Sequence, residues 1–415
     1  MNRPHLRVTI LGLHYSPEPS GNAPYTTSLA EGLVRKGHEV TVITGYPHYP
    51  EWRLAEGYEG WSSNSVINGV TVKRLRHYIP RVPSFIDRLH MEMSFGLRLV
   101  FTGWNRPDVI LCVSPALFAS GLAILRGRLL SRRSAALGIW VQDLYSRGLV
   151  ETSSASGGQS RLAKALEATI LGSTHGVVAI HERFRDYLVN VLNLSPTSVK
   201  IIRNWTHLPP APTVDREAVR SSLGWASDDI VVLHAGNMGK KQGLENVVET
   251  AKLAQQRNSR VRFILMGDGN QRERLEQLAE GIDRVSFMPP LPGDDFQAAM
   301  AASDILLVNE LPGVTDMSVP SKLTSYFNAG VPVVAATDAA SVTAQEIDVS
   351  GGGVRVDAAS PVALLEIAEM LGNSTTKAAA LGAAGMKFRQ ETLSEQAALD
   401  HYDEFIQSLA SLRGR

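Results

Sequence analysis

The sequence predicts an α/β protein made of two doubly wound domains. A strand, a helix and a second strand follow one another between residues 7 and 44, and this order requires a parallel sheet. The same alternation of apolar strands and amphipathic helices begins again near residue 230. With 415 residues, the chain is also longer than a single domain usually is.

The first βαβ unit is predicted within residues 7–44. The apolar run RVTILGL is a strand at 7–13, the helical pattern TTSLAEGLVRKG ends at Gly37, and EVTVIT is a buried strand at 39–44. The strands predicted after this unit comprise residues 70–75, 108–113, 136–140 and 176–180. Helical patterns lie between most of them, which makes residues 1–203 the first doubly wound domain.

The second half repeats this pattern after a proline-rich segment. Residues 204–215, NWTHLPPAPTVD, are the expected linker, and residues 216–390 form the second domain. Its predicted strands are 230–236, 261–269, 285–289, 304–309, 331–336 and 352–356. Residues 391–415 contain a final amphipathic helix, which we expect to pack back on the first domain. Because parallel sheets bind ligands beyond the carboxyl ends of their strands, we expect a site in a cleft between the domains.

Charge and composition narrow the kinds of partner and the compartment. Residues 1–203 carry 23 Lys and Arg against 14 Asp and Glu, whereas the rest carries 18 against 27. The basic first half suits anionic lipid headgroups, although a solvated surface is an equally good explanation. The single cysteine, Cys112, fits a reducing cytoplasm. The N-terminal apolar run is too short for a signal peptide, and no apolar stretch reaches the roughly 20 residues of a membrane span.

The segment HAGNMGKKQG, residues 234–243, lies between a strand and a helix and predicts a phosphate-binding loop. Backbone N–H groups and the positive end of the helix dipole converge at such a position. Gly236 and Gly239 allow a close approach of the backbone, and Lys240 and Lys241 supply positive charge for a diphosphate. The segment fits neither the P-loop pattern nor G-x-G-x-x-G, so on its own an ordinary turn explains it as well.

Four motifs in a fixed order make the chain resemble the family 4 glycosyltransferases. They are HAGNMGKKQG, LMGDG (265–269), VSFMPPLP (285–292) and AGVPVVAA (329–336). The resemblance implies the GT-B fold, in which two Rossmann-like domains face a central cleft. HYSPE, PHYPEW, WVQDLY and VPSKL are more narrowly similar to the branch that builds colanic-acid-type exopolysaccharide. The resemblance covers nearly the whole chain.

The resemblance assigns a donor-binding role to residues in both halves. The backbone before the first helix approaches the donor diphosphate in this family, the basic loop binds that diphosphate, and the loop around residue 288 lies near the nucleoside base. The implied donor-binding residues are Gly21, Asn22, Gly236, Asn237, Lys240, Lys241, Gly269, Met288, Ser321, Lys322, Leu323 and Ser325. Many members have an arginine where Asn237 stands, so Lys240 or Lys241 must supply the charge, and the sequence leaves open which one.

Two carboxylates are the implied catalytic residues. Asp143 in VQDL matches a position on the acceptor side, where a carboxylate orients or deprotonates an acceptor hydroxyl, and a helix N-cap is its structural alternative. Many members have two glutamates spaced E-x7-E, but Met317 and Ser325 occupy those positions here. Asp316 is the expected replacement for the first glutamate, and Glu310 is a weaker candidate. The loss of the second glutamate leaves the identity of the nucleotide open.

The sequence predicts a reaction that needs neither a metal nor another cofactor. It contains no D-x-D and no cluster of His and Cys at metal-ligand spacing. The lysines and helix N-termini are therefore expected to neutralise the leaving nucleoside diphosphate.

We therefore predict a cytoplasmic, retaining hexosyltransferase, and we expect it to attach peripherally to the inner face of the membrane. The expected partners are a UDP- or GDP-type sugar donor and a glycan or polyprenyl-linked acceptor in cell-surface polysaccharide synthesis, with no nucleic acid. The segment FIDRLHMEMSFGLRLVF (85–101) is expected either to touch the bilayer or to be a buried helix. Two other functions stay open: a nucleotide-sugar epimerase of the same fold, and a non-catalytic nucleotide-sugar-binding partner protein.

Overall fold

The computed structural model describes residues 4–19, 21–49, 51–81, 85–130, 135–146, 157–206, 213–313 and 321–412. The chain divides into two compact units. The first unit comprises Met1–Trp205 together with Glu395–Arg415, and the second comprises Thr206–Ser394. Each unit is built around one sheet, so the α/β class with two parallel sheets is confirmed.

The first unit contains an eight-stranded sheet within the described residues, in the order β3-β4-β2-β1-β5-β6-β7-β8. Neighbouring strands are parallel, except that β3 runs antiparallel to β4. The strands are β1 (Arg7–Leu11), β2 (Glu39–Gly45), β3 (Ser62–Ile67), β4 (Val70–Leu75), β5 (Val109–Val113), β6 (Ala136–Val141), β7 (Gly176–Ala179) and β8 (Val199–Ile201).

The central strands of this sheet are apolar because helices cover both faces of a parallel sheet. Every residue of β5 and of β6 is buried. In the central strand β1, Val8 pairs with Val40 on one side and with Val109 on the other. The helices of the first unit are α1 (Ala23–Arg35), α2 (Phe85–Phe101), α3 (Leu117–Leu130), α4 (Gly157–Gly172), α5 (Glu182–Asn190) and, at the end of the chain, α14 (Glu395–Ser411).

The helix α14 packs closely on the sheet and on α1 of the first unit. Glycines allow this approach: a Cβ on Gly32 would lie 2.3 Å from Leu399, and one on Gly138 would lie 2.8 Å from Leu409. Tyr402 is fully buried against Trp140 and Trp205. The last helix of the chain is therefore part of the core of the first unit.

The second unit contains a six-stranded parallel sheet within the described residues, in the order β11-β10-β9-β12-β13-β14. The strands are β9 (Ile230–Ala235), β10 (Val261–Met266), β11 (Val285–Met288), β12 (Ile305–Asn309), β13 (Val333–Ala336) and β14 (Gly353–Val356). The helices are α6 (Arg216–Ser222), α7 (Glu245–Gln256), α8 (Arg272–Leu278), α9 (Gly293–Ala302), α10 (Ser321–Asn328), α11 (Val342–Ser350), α12 (Pro361–Gly372) and α13 (Thr375–Glu391).

Alternate residues of these strands feed two hydrophobic clusters, one on each face of the second sheet. Val232 of β9 joins the cluster with α7 and α12, whereas Val231 and Leu233 join the cluster with α9 and α10. This alternation follows from the two-residue period of a strand. The predicted donor-site residues of the second unit lie at or after the carboxyl ends of β9, β10, β11 and β12.

The structure adds elements that the sequence pattern did not predict. The strand β3 reads SSNSVI and is largely exposed at the sheet edge, and β8 has three residues, so neither gives an apolar run. The segment SSASGGQS, residues 153–160, has the Ser- and Gly-rich composition of a loop, but Gly157 to Ser160 belong to α4, and 153–156 lie outside the described residues. Part of the expected linker, 207–212, also lies outside them. Among the described helices, none has the length and hydropathy needed to cross a bilayer.

Candidate active site

The loop after β9 begins with a glycine turn that brings the backbone close to a lysine. Gly236 has a φ of +128° and is exposed. A Cβ at this position would lie 2.9 Å from Cε of Lys322. Only glycine leaves room here for both the lysine side chain and the left-handed backbone conformation. The structure thus pairs two predicted donor-site residues that are far apart in the sequence.

The GDG loop after β10 lies directly against the same turn. A Cβ on Gly267 would lie 1.9 Å from the carbonyl oxygen of Gly236, and one on Gly269 would lie 2.7 Å from Oδ1 of Asn237. The N–H of Met238 donates to the carbonyl of Asp268 at 2.7 Å. The two loops are therefore in backbone contact, and Gly269 and Asn237 are neighbours.

The loop after β11 is tied to this pair. The N–H of Gly267 donates to the carbonyl of Met288 at 3.0 Å. The guanidinium of Arg272 donates to the carbonyls of Gly267, at 2.6 Å, and of Met288, at 3.2 Å. Arg272 was not predicted from the sequence, because an arginine at the first position of a helix has no distinguishing pattern.

Lys322 is in the first turn of α10 and reaches toward β9. Its Nζ lies 2.9 Å from Nε2 of His234, which is fully buried. Burial lowers the pKa of Lys322 to about 8, while the carboxylate of Glu310 acts to raise it. An ammonium so placed beside the Gly236 turn is suited to bind an anion, together with the N–H groups at the start of α10.

The other predicted residues of α10 differ in their surroundings. Ser321 is the first residue of the helix, Leu323 is buried, and Ser325 is half-buried. The hydroxyl of Tyr326 accepts from the N–H of Ala235 at 2.8 Å. No sequence pattern indicated Tyr326, although its hydroxyl holds the backbone of Ala235 in β9 immediately before the Gly236 turn.

Lys240 and Lys241 lie in a short 3-10 turn and are exposed. The turn is held by the N–H of Gly239, which donates to Oε1 of Gln242 at 3.0 Å, and by the carbonyl of Lys241, which accepts from Leu311. The side-chain atoms nearest to a Cβ on Gly236 belong to Lys322. Their roles in phosphate binding stay predictions.

Gly21 and Asn22 lie at the start of α1 in the first unit. Gly21 has a φ of +68°, and the side chain of Asn22 donates to the carbonyl of Ser114 at 3.0 Å. This contact links the loop after β1 to the loop after β5. Asp143 follows β6 in the same unit, is exposed, and its Oδ1 accepts from the N–H of Leu144 at 2.8 Å.

Ser114 connects the predicted residues of this unit. Its hydroxyl accepts from the N–H of Gln142 at 2.9 Å and donates to the carbonyl of Asp143 at 3.3 Å. The carboxyl ends of β1, β5 and β6 therefore bring Asn22 and Asp143 to one edge of the sheet, as the parallel topology requires. Apart from its position at a strand end, Ser114 has no distinguishing pattern in the sequence.

The predicted replacement for the missing glutamate, Asp316, lies outside the described residues. Its weaker alternative, Glu310, follows β12 and accepts hydrogen bonds from the hydroxyls of Thr337 and Thr343. The carboxylate of Glu310 is thus engaged by two hydroxyls that hold neighbouring loops of the second unit.

One cluster that the sequence spacing hides is formed by His14, Glu18 and His48, whose ligand atoms lie within 4.8 Å of one another. Oε2 of Glu18 accepts from Nδ1 of His14 at 2.6 Å, and Oε1 accepts from the N–H groups of His48, at 2.9 Å, and Tyr49, at 3.0 Å. Burial acts to raise the pKa of Glu18, but these hydrogen bonds and the His14 charge lower it on balance. Three donors already satisfy this carboxylate, which joins the loops after β1 and β2. That the reaction needs no metal stays a prediction.

Comparison with known families agrees with this architecture. The family described as glycosyl transferase 4-like domain matches residues 20–205, and the family described as glycosyl transferases group 1 matches residues 229–373. The colanic acid biosynthesis glycosyl transferase WcaI of Escherichia coli (strain K12) is 32% identical over 350 residues, covering 80% of this chain and 84% of that protein.

Solved structures show the same fold at lower identity. Anabaena Alr3699/HepE in complex with UDP has a TM-score of 0.70 at 16% identity, covering 97% of this chain and 100% of that one. The same protein in complex with UDP-glucose has a TM-score of 0.66 at 17% identity, with coverage of 97% and 100%. The order of the motifs, the two parallel sheets and the colanic-acid relative agree, and the chain therefore belongs to the family 4-type glycosyltransferases of GT-B fold.

Proposed function

We propose that this glycosyltransferase moves a hexose from a nucleoside diphosphate sugar to a hydroxyl of a lipid-linked glycan, with retention of configuration, in the synthesis of a cell-surface polysaccharide. The observation that carries the proposal is the Gly236 turn, where the backbone approaches Lys322 so closely that a Cβ is excluded. Such a turn admits a diphosphate to backbone N–H groups and an ammonium at once. The structures of HepE in complex with UDP and with UDP-glucose support a nucleotide-sugar donor.

The chemistry that we propose needs charge stabilisation more than covalent catalysis. The glycosidic bond to the diphosphate breaks as negative charge develops on the leaving phosphate, and Lys322 and the start of α10 stabilise that charge. The acceptor hydroxyl attacks from the same face, and the departing phosphate takes up its proton. Asp143 at the end of β6 orients the acceptor hydroxyl. The donor-binding residues implied by the resemblance, and Asp316 as the replacement for the first glutamate, remain part of this proposal.

We propose contact with an anionic membrane through three adjacent helices of the first unit. The helices α2, α3 and α4 expose apolar side chains at intervals of four or eleven residues, which places those of each helix on one stripe. These side chains are Ile86, Leu97, Phe101, Leu125, Leu129, Leu162 and Leu166. The basic residues Arg88, Arg128 and Arg161 are exposed on the same helices, whereas their glutamates, Glu92 and Glu167, are buried. Basic and apolar residues together favour binding to an anionic bilayer surface.

Donor binding is tested by a thermal-shift screen against UDP-, GDP-, ADP- and TDP-sugars. A ligand that binds only the native state raises the melting temperature, so one nucleotide class is expected to raise it for the wild type. Lys322→Met is expected to lose the shift, and Lys252→Met, which removes an exposed lysine from α7, is expected to keep it. EDTA is expected to change neither result. No shift with any of the four would overturn the proposal.

Catalysis and stereochemistry are tested with the donor class that binds. We expect release of the nucleoside diphosphate only when a polyprenyl diphosphate-linked sugar is present, and an anomeric coupling in the product that matches the donor. A product whose coupling shows the opposite anomeric configuration would contradict the retaining mechanism. Epimerisation of the donor without acceptor would identify the protein as an epimerase, and binding without any turnover would identify a binding protein.

A further inference from the structure

His234 is a buried histidine whose two ring nitrogens face chemically different partners. It lies on β9, two residues before Gly236, and none of its surface is exposed. Nδ1 lies 3.2 Å from the carbonyl oxygen of Leu307 on β12, and Nε2 lies 2.9 Å from Nζ of Lys322 on α10. A polar residue in a buried strand needs a reason, because burying an imidazole without partners costs free energy.

These two partners fix the tautomer of the ring. A carbonyl oxygen only accepts, so Nδ1 carries the proton and donates it to Leu307. An ammonium only donates, so Nε2 is unprotonated and accepts from Lys322. Burial, and then the charge of Lys322, lower the pKa of His234 to about 3, although hydrogen bonds with the backbone of Asn237 and of Leu307 act to raise it, and the ring is neutral around neutral pH. The hydroxyl of Tyr326 lies 3.3 Å from the same carbonyl of Leu307, which fixes that acceptor as well.

We infer that His234 is a positioning residue that holds the Lys322 ammonium beside the Gly236 turn without neutralising its charge. A carboxylate in the same place would also hold the lysine, but it would cancel the positive charge that a diphosphate needs. A neutral imidazole gives the geometry of a hydrogen bond and leaves the charge for the ligand. This inference rests on the proposed function, in which the ligand is a nucleoside diphosphate.

The strand geometry explains why a histidine serves at this position. Side chains two residues apart point to the same face of a strand, so His234 and the missing side chain of Gly236 share one face. The methylene end of Lys322 occupies the space that a Cβ of Gly236 would fill. The lysine therefore lies across this face of β9, with its Nζ at His234 and its Cε at Gly236. Glu310 is the acidic group whose charge acts on the pKa of this lysine.

The first test measures UDP and GDP binding by calorimetry for three substitutions of His234. His234→Gln keeps one donor for Leu307 and one acceptor for Lys322, and we expect its affinity to stay within about threefold of the wild type. His234→Leu removes both hydrogen bonds, and a lost charge-assisted hydrogen bond corresponds to roughly a tenfold weaker affinity. His234→Glu is expected to weaken binding as much as His234→Leu, because it neutralises the lysine. Equal affinity for Glu and Gln variants would overturn the inference.

A double-mutant cycle separates positioning from a general loss of stability. In a Lys322→Met background, His234→Leu is expected to have no further effect on UDP affinity, because the histidine acts through the lysine. Val231→Ala removes buried volume from the same strand on its opposite face and serves as the destabilised control, with affinity expected within about threefold of the wild type. An undiminished effect of His234→Leu in the Lys322→Met background would overturn the inference.

A ligand-free measurement distinguishes this inference from the proposed function. The lysines are methylated with ¹³C and titrated by NMR, and Lys322 is assigned with Lys322→Met. We expect the titration midpoint of Lys322 to fall in His234→Leu and to return in His234→Gln, because the ring stabilises the ammonium. An unchanged titration midpoint of Lys322 in His234→Leu would overturn the inferred interaction between His234 and Lys322, whether or not nucleotides bind. If no nucleotide binds the wild type but the midpoint of Lys322 moves in His234→Leu, the interaction between His234 and Lys322 is supported and the proposed function is wrong.

Discussion

Single residues decide whether the loops of the second unit can approach one another. Gly267 is the most constrained example, since its φ is +146° and its Cβ would lie 1.9 Å from the carbonyl oxygen of Gly236. The sequence identified the GDG motif but not the reason for its first glycine, which is the backbone of another loop. A contact between residues 31 positions apart cannot be read from local pattern.

Gly267→Ala is expected to destabilise the protein and to abolish nucleotide binding. The new methyl group must displace the Gly236 backbone, which we expect to cost roughly 3 kcal/mol or more. Gly281→Ala is the matched control, because Gly281 also has a positive φ, +76°, but nothing lies within 4 Å of its Cβ. The control is expected to cost about 1 kcal/mol from backbone strain alone. Urea unfolding measures both, and equal losses would contradict the role of the close approach.

Individual elements are joined by buried carboxylates that the sequence pattern assigns to no role. Glu92 lies on α2, and its Oε2 accepts from the N–H of Phe118 at 3.0 Å in the first turn of α3. Burial raises the pKa of Glu92 to about 8, although this hydrogen bond and Arg88 act to lower it. Residues 85–101, for which the sequence left open contact with the bilayer or a buried helix, form α2, which has both buried and exposed side chains. Which face packs on α3 was decided by tertiary structure.

Glu92→Gln is expected to raise stability at alkaline pH and to leave it unchanged at pH 4.5. The folded-state pKa, about 8, lies above the ordinary value of 4.5, so the native state binds more protons between these values and the wild type loses stability as pH rises through them. At about 1.4 kcal/mol per pKa unit, the loss is on the order of a few kcal/mol.

The measurement for this prediction is the melting temperature of Glu92→Gln and the wild type at pH 4.5 and pH 9. Glu39→Gln replaces an exposed glutamate at the start of β2 and is the control, with a pH profile expected to match the wild type. A constant difference between Glu92→Gln and the wild type at both pH values would show that Glu92 does not titrate with a raised pKa.

The whole molecule combines a neutral net charge with a basic first half and an acidic second half. In the first unit, the exposed apolar side chains of α2, α3 and α4 accompany exposed arginines, whereas the nearby glutamates are buried. These features support the proposed contact with anionic lipid, because both the positive charge and the exposed apolar area favour binding to such a surface. The uneven charge was visible in the sequence, but the burial of Glu92 and Glu167 was not.

A Leu97→Glu, Phe101→Glu double variant is expected to lose sedimentation with vesicles that contain phosphatidylglycerol. The wild type is expected to sediment with these vesicles at low salt, less at high salt, and not with pure phosphatidylcholine, because the attraction is partly electrostatic. Leu278→Glu with Val349→Glu changes two exposed apolar residues of the second unit and is the control. Loss of binding in the control, or retention in the test variant, would contradict the proposed surface.

The sequence by itself determined the fold class, the order of the buried strands and the positions of the glycine loops. These features depend on periodicity and on residues that change local backbone conformation, and both are local properties of the chain. The sequence pattern did not predict the strands β3 and β8, because edge strands need no apolar run.

Only the tertiary structure decided which side chains meet at the carboxyl edges of the sheets. Lys240 and Lys241, which the loop pattern favours, are exposed, whereas Lys322 lies 86 residues after Gly236 in the sequence and reaches the Gly236 turn from α10, where it contacts His234. Long-range contacts of this kind depend on strand order and on space left by glycines, neither of which is encoded in a local pattern. The physical reason is that a side chain binds phosphate only when its charge lies beside the phosphate, and the packed fold sets that position.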